Sequence, residues 1–299
     1  MKRLLLIFLL IVVAFSGCME RQPGAEGPSV EEPSAEEIKT LMIDSANGLD
    51  SYRFSTESLQ KITVLNRSIE DANASTITVK AVGNGDVDLS GRAVSMVQTV
   101  NMESENNVVP PGESETIILN DTIYMGVGGN WTSLQLPNAD LIWDRQNIVK
   151  NQAELINNSE VVLLGSEIVE GQDSYKIKVI PDMETYSAVL SEQVGNTLPV
   201  AILNISEMYR NSPPQWTSWV TKDGYHLTKN EILMNFTVTP DDMDLSPEEV
   251  GDFEMTLDLA STAIFRDFNQ PVEITLPEGA KNATAMTLMP ASSLPPATS

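Results

Sequence analysis

The chain has 299 residues, 41% of them hydrophobic, and a formal net charge of −24 from 18 Lys+Arg against 42 Asp+Glu. That apolar content suffices for a buried core, and the acidic excess excludes a protein that coats nucleic acid, where the imbalance must run the other way. A single Cys excludes an intrachain disulfide framework and Cys-rich zinc or iron–sulfur sites, and a single His leaves at most one imidazole for catalysis or metal binding.

The chain opens as an export signal. Lys2 and Arg3 precede an apolar run from Leu4 to Phe15, too short for a comfortable membrane span and suited to a signal core. Phe15-Ser-Gly-Cys18 follows and resembles a lipoprotein cleavage box, with Phe15 where Leu is common. Cleavage before Cys18 would remove residues 1–17 and leave the thiol to carry a diacylglyceryl anchor. An uncleaved N-terminal anchor is the alternative, and either one tethers the same domain on the extracytoplasmic face of the cell membrane. The acidic surface repels anionic headgroups, so the anchor must do the holding. Residues 18–35 are rich in Pro, Gly, Ser and Glu and read as a flexible tether; a Pro/Ser/Ala/Thr tail fills 289–299. The folded part is a single domain over 36–288.

Its elements follow in order. Ser34-Ala-Glu-Glu37 is a capping box for a helix carrying Ile38, Leu41, Met42 and Leu49 on one side. A strand-rich region from Ser51 to Met102 has turn signals at Asn84-Gly85-Asp86 and Ser90-Gly91-Arg92, and Glu103–Ser114, with Pro110-Pro111-Gly112, reads as a loop. Asn120-Asp121 centres a hairpin, and Gly126-Val-Gly-Gly129 turns the chain into a strand at Trp131. Residues 141–157 read as a helix, Glu160–Val169 and Ser174–Val179 as a hairpin, and Pro181 starts a helical stretch through Met183 and Tyr186 to Gly195, continued over Leu198–Arg210. A further hairpin joins Gln215–Val220 to Tyr225–Thr239, with Ile232, Met234, Phe236 and Val238 on one face and Asn235 and Thr237 on the other. Ser246-Pro-Glu-Glu249 caps a short helical turn; a strand runs from Phe253, and a last strand over 270–277 turns Val272, Ile274 and Leu276 inward. This order gives an α+β domain with a large antiparallel sheet whose apolar face the helices cover.

Asn-x-Ser/Thr occurs at Asn66, Asn73, Asn120, Asn130, Asn157, Asn204, Asn235 and Asn282. Behind an export signal these are candidate N-glycosylation sites, and sequons together with a prokaryotic lipobox point to an archaeal surface; an Asn- and Thr-rich composition is the plain alternative.

The lipobox, the first helix leading into Asp50-Ser-Tyr-Arg-Phe, hairpins punctuated by Tyr124 and Trp131, Gly165-Ser-Glu-Ile-Val-Glu-Gly-Gln-Asp-Ser-Tyr-Lys-Ile and the closing Phe268-Asn-Gln-Pro-Val-Glu-Ile-Thr-Leu-Pro together resemble the LolA/LppX-like lipoprotein carriers. The resemblance implies a strongly curved half-barrel with helices over its concave face and an apolar space that holds acyl chains. It implies a membrane-anchored carrier of a hydrophobic, lipid-like ligand, with no catalysis and no cofactor; a cell-envelope interaction module with a filled core is the alternative. No ligand-binding residue transfers by motif. Flexible methionines suit an adaptable apolar pocket, and Met42, Met96, Met102, Met125, Met183, Met208, Met234 and Met255 lie within the domain, where ordinary core filling also explains them.

Little else signals chemistry. His226 follows Asp223-Gly224 in a hairpin, without a nucleophile-elbow pattern, and reads as a surface or cross-strand residue. Asp241-Asp-Met-Asp-Leu-Ser-Pro-Glu-Glu lacks the central Gly and spacing of a calcium loop, so no metal is expected there. Gly126-Val-Gly-Gly129 leads to no helix and is no phosphate cradle.

Overall fold

The structure, a computed structural model, describes residues 32–68, 74–104, 107–136, 143, 147–184, 186, 212–243, 246 and 251–286. Its first helix, α1 (Ala35–Asn47), has the expected capping box: the Glu37 N–H donates to Ser34 Oγ at 3.3 Å and the Ser34 N–H donates to Glu37 Oε2 at 2.8 Å. These bonds from Ser34 hold the Glu37 carboxyl below its ordinary value. A second helix, α2 (Ile148–Asn157), is capped by Asn147, whose Oδ1 accepts from the Lys150 N–H at 3.0 Å.

The strands are β1 (Ser51–Asn66), β2 (Ser75–Asp88), β3 (Ala93–Ser104), β4 (Asn107–Leu119), β5 (Thr122–Val127), β6 (Asn130–Gln135), β7 (Glu160–Val169), β8 (Gln172–Ile180), β9 (Gln215–Thr221), β10 (Leu227–Val238), β11 (Phe253–Arg266) and β12 (Thr284–Met286). They form one sheet in the order β12-β6-β5-β4-β3-β2-β1-β11-β10-β9-β8-β7. Every pairing is antiparallel except β12 on β6. Two meanders, β1–β6 and β7–β11, are therefore joined where β1 pairs along its length with β11, from Arg53 opposite Arg266 to Asn66 opposite Phe253.

Both helices pack on one face of this sheet. Ile38, Met42 and Ala46 of α1 and Val149, Ala153 and Ile156 of α2 share a core with Tyr52, Phe54, Val87, Phe265, Ile177 and Trp216. Tyr52 is fully buried, its ring meets Phe265 edge-on at 6.0 Å, and its Oη accepts the otherwise orphaned Ile148 N–H at 3.0 Å. One aromatic thus ties the sheet to the start of α2.

Four sequence expectations are corrected. Asn84-Gly85-Asp86 is not a turn but lies inside β2. Glycine stands there because the Phe54 ring from β1 lies on it: a Cβ at Gly85 would sit 2.7 Å from Phe54 Cζ and 2.3 Å from Ser95 O. The stretch Glu103–Ser114 is not a loop, since β3 and β4 pair through it. The register shifts there, with Val100 opposite Gly112 but Met102 opposite Val109, so Pro110-Pro111 occupies an irregularity where the ladder does not need their missing N–H groups. Residues 270–277 form no strand, although half-buried Val272, Ile274 and Leu276 alternate with exposed Pro271, Glu273 and Thr275; prolines at 271 and 277 bracket the segment, and β12 beyond it pairs instead. The helix expected over 141–157 begins only at Ile148, apart from a helical residue at Trp143; its remaining residues, 141–142 and 144–146, lie outside the described residues. Helical residues appear at Met183, Glu184 and Tyr186, while the rest of the stretch to Arg210 and the turn at 247–250 also lie outside the described residues.

Two outcomes follow. Gly85→Ala forces Phe54 and the β3 backbone to shift, a loss of about 1–3 kcal/mol measurable by urea unfolding. Burial pushes the Tyr52 hydroxyl up to about 12. Its folded value lies above the unfolded value of about 10, so its stabilisation is complete below pH 10 and lost, by about 2–3 kcal/mol, as pH climbs toward 12. Unfolding midpoints at pH 9 and 11.5 should therefore diverge more in the parent chain than in Tyr52→Phe.

Candidate functional site

Residues directly opposite in an antiparallel pair share a face, so the registers sort every central strand into two sets. In β10, β11, β1, β2 and β3 all charged residues fall in one set: Lys229 and Glu231; Glu254, Asp258 and Arg266; Arg53, Glu57 and Lys61; Lys80, Asp86 and Asp88; Glu103. On that face Arg53 bridges Asp86 and Asp267 at 3.0 Å each, and Lys80 pairs with Glu57 at 2.7 Å. Trp219 of β9 is 1% exposed there because Lys229 and Lys176 lie over its ring at 4.4 and 5.0 Å, while its Nε1–H donates to Glu167 Oε2 at 3.1 Å.

The opposite face, on which the helices lie, has no charged residue in these five strands. It divides into three zones along the strands. At one end lies the helix-covered core of Tyr52, Phe54, Val87, Val94 and Phe265. A seam of neutral polar groups crosses next. Thr56 is opposite Ala263, Ser58 opposite Ser261 and Gln98 opposite Gly83, and Asn230 of β10 adjoins them. Asn230 is buried, with its Oδ1 accepting from Ser218 Oγ at 2.5 Å and Trp216 Nε1 at 3.3 Å and its Nδ2 donating to Gln152 of α2 at 3.3 Å.

Beyond the seam the face is apolar again. Met234 pairs with Leu259, Phe236 with Leu257, Ile62 with both Leu257 and Ile77, Val64 with Met255, and Val79 with Met102. Cover over this band thins across the sheet. Phe236 and Val238 on β10 are buried, whereas Val64, Ile77 and Met102 remain 37%, 37% and 41% exposed. Tyr186 stands at the border, tilted against Trp216 at 6.3 Å with its hydroxyl 4.0 Å from the Met234 sulfur. Met96, Met102, Met125, Met234 and Met255 all fall on this face. Met42 is buried in α1, Met183 is half-buried against the core, and Met208 lies outside the described residues. The seam went unread in the sequence, because it exists only once strands far apart in the chain are placed in register.

Three cavities add detail. Between α2 and the sheet a space of about 70 Å³, lined by Ile148, Gln152, Asn230, Ile232, Ser261, Ala263 and Phe265, has room for a few waters and not for an acyl chain. A larger one of about 530 Å³ opens mainly on the charged face, over Leu59, Leu233 and Ala260 beside Ser212 and Pro213. The third, about 620 Å³, is polar and holds Asp173, Lys222, Asp223, Asp267 and the lone His226.

His226 is half-buried rather than on the surface: its Nδ1 lies 2.6 Å from Ser45 Oγ of α1 and its ring stacks on Phe268 at 4.5 Å. Among the described residues no group of three His, Cys, Asp or Glu side chains comes within reach of a common metal ion. Asp241–Met243 forms a short 3₁₀ turn in which Asp242 accepts from the Thr239 N–H at 2.7 Å, and Gly128 and Gly129 form the β5–β6 turn at φ +56 and +83. Asn66, Asn120, Asn130, Asn157, Asn235 and Asn282 are exposed; Cys18, Asn73 and Asn204 lie outside the described residues.

Burial lowers the His226 pKa from its ordinary 6.5, opposed by the Asp223 charge. With a depressed folded value, its contribution to stability is present above pH 6.5 and lost as pH falls through the folded value. Thermal midpoints between pH 7.5 and 5.5 should fall more steeply in the parent chain than in His226→Phe, which keeps a ring against Phe268 and cannot titrate.

Residues 34–285 match a family described as a family of unknown function, DUF6612. No curated protein matches the chain in sequence. Among solved structures it is similar to LprF from Mycobacterium bovis, with 14% identity over 81% of this chain and 96% of that chain and a TM-score of 0.40. Lipoprotein LppX of Mycobacterium tuberculosis aligns with 13% identity over 80% and 96%, TM-score 0.38, and a LolA superfamily protein from Nitrosomonas europaea with 9% identity over 81% and 96%, TM-score 0.21. With its match running from the cap of α1 to β12, the chain belongs to the DUF6612 family.

Proposed function

We propose that the chain is an extracytoplasmic lipoprotein, anchored through Cys18, that holds a hydrophobic, lipid-like ligand on the uncharged face of its sheet. The observation that carries this reading is the second apolar band. In an acidic chain, five neighbouring strands keep every charge off one face, and the part of that face beyond the helices presents Val64, Ile77 and Met102 to solvent. A contiguous exposed apolar surface on a solvent-bathed protein marks a contact with something equally apolar. Methionines suit a ligand of variable shape, since a thioether side chain repacks at little cost. In this reading the sheet curls around the band, the anchor keeps the site near its source of ligand, and the protein binds without catalytic turnover. Glycans on the exposed sequon asparagines would shield the acidic outer surface.

A second reading, an envelope interaction module with a filled core, draws support from the space of only about 70 Å³ under α2. Lipid content separates the two. Purified from membranes and stripped of loosely held lipid, the parent chain should release about one equivalent of apolar ligand on organic extraction, read by mass spectrometry. Ile77→Asp, which puts a charge into the band, should release far less while keeping its circular dichroism. Equal or zero recovery from both would leave the filled-core module.

A further inference from the structure

We infer that the ligand of the apolar band is a neutral amphiphile, a long apolar chain ending in a hydroxyl, ester or amide headgroup, and that the site discriminates against ionised lipids. This rests on the reading of the band as a lipid site and adds the class of lipid.

The argument is one of charge and hydrogen bonding. A carboxylate or phosphate laid against this face would leave water beside strands that offer it no cation; every Lys and Arg of the five central strands lies on the other side of the sheet. An unpaired ion so placed is strongly disfavoured. The seam bordering the band offers something else. Ser58, Gln60, Gln98 and Ser261 supply hydroxyl and amide donors and acceptors, and none of these side chains hydrogen-bonds another described residue. Gln60 is opposite Leu259 on one side and Val79 on the other, so it meets the band and the seam at once. A tail lying across the band, about 19 Å wide from β10 to β3 at the usual strand spacing, would bring its polar end to these groups. Neutral donors and acceptors that the described residues leave unspent match a headgroup that both gives and takes hydrogen bonds without carrying charge.

Monoolein and oleate carry the same tail and differ in headgroup, which makes them the discriminating probes. With the delipidated full chain at pH 8 and matched free ligand, calorimetric titration should show monoolein at least tenfold tighter than oleate. Gln60→Lys should raise oleate affinity about tenfold or more and close the gap. Leu59→Lys, one position away on the opposite face, should leave the ratio unchanged. Circular dichroism and thermal midpoints establish that both variants fold. Equal affinity for the two probes in the parent chain overturns the inference while leaving the lipid site standing. Failure of both probes to bind overturns the lipid site as well. A ratio that responds to Leu59→Lys and not to Gln60→Lys moves the ligand to the cavity over Leu59 and Leu233, and sinks the inference.

Discussion

A pleated strand sends successive side chains to opposite sides, and in this protein that alternation is held without a break across the five central strands. Every charge goes one way, from Lys229 on β10 to Glu103 on β3, and the other side carries only apolar or neutral groups. The rest of the molecule depends on this sorting. A one-residue slip anywhere in the central ladder would drive Arg53, Asp86 or Arg266 under the helices and lift Tyr52 or Phe54 into water. The register is therefore fixed by two penalties acting together, burial of charge and exposure of aromatic surface. It is reinforced by the Arg53 pair with Asp86 and Asp267 on the outer side and the Tyr52–Ile148 hydrogen bond on the inner.

The described helices, α1 and α2, use only part of the face so prepared. α1 and α2 close the end where Tyr52, Val87 and Phe265 lie, and a buried amide, Asn230, links α2 to the sheet through Gln152. Replacing such a network with apolar side chains would free the helix to slide, because its partners are satisfied in one arrangement only. The seam is thus a boundary with two roles. It positions α2 on one side and leaves neutral hydrogen-bonding groups facing the apolar band on the other.

Much of the fold was legible in the sequence where the signal is local. The Ser34 box, the hairpins at Asn120-Asp121 and Lys222-Asp223-Gly224, and the division of Phe236 from Asn235 and Thr237 all follow from residues within a few positions of one another. The misread segments failed for non-local reasons. Gly85 looks like a turn residue until Phe54, from another strand, claims the space of its missing side chain. Pro110-Pro111 looks like a break until the ladder is seen to skip it. Residues 270–277 have the alternation of a strand and lack a partner that tolerates their prolines. The site was harder still. Composition revealed the methionines, but their shared face and the uncharged surroundings emerge only from cross-strand register.

The joint between β1 and β11 has a kinetic meaning. Each meander can assemble from neighbours, yet the sheet is whole only when the first strand meets one that begins some two hundred residues later. Contacts of that sequence separation are slow to form, because a long loop must close before any of them is rewarded. Until then two long strand edges, on β1 and β11, stand open to any other chain at hand. A newly made copy is therefore at its most vulnerable in the interval before its final strands arrive, and the speed of that one docking event sets how long the open edges last.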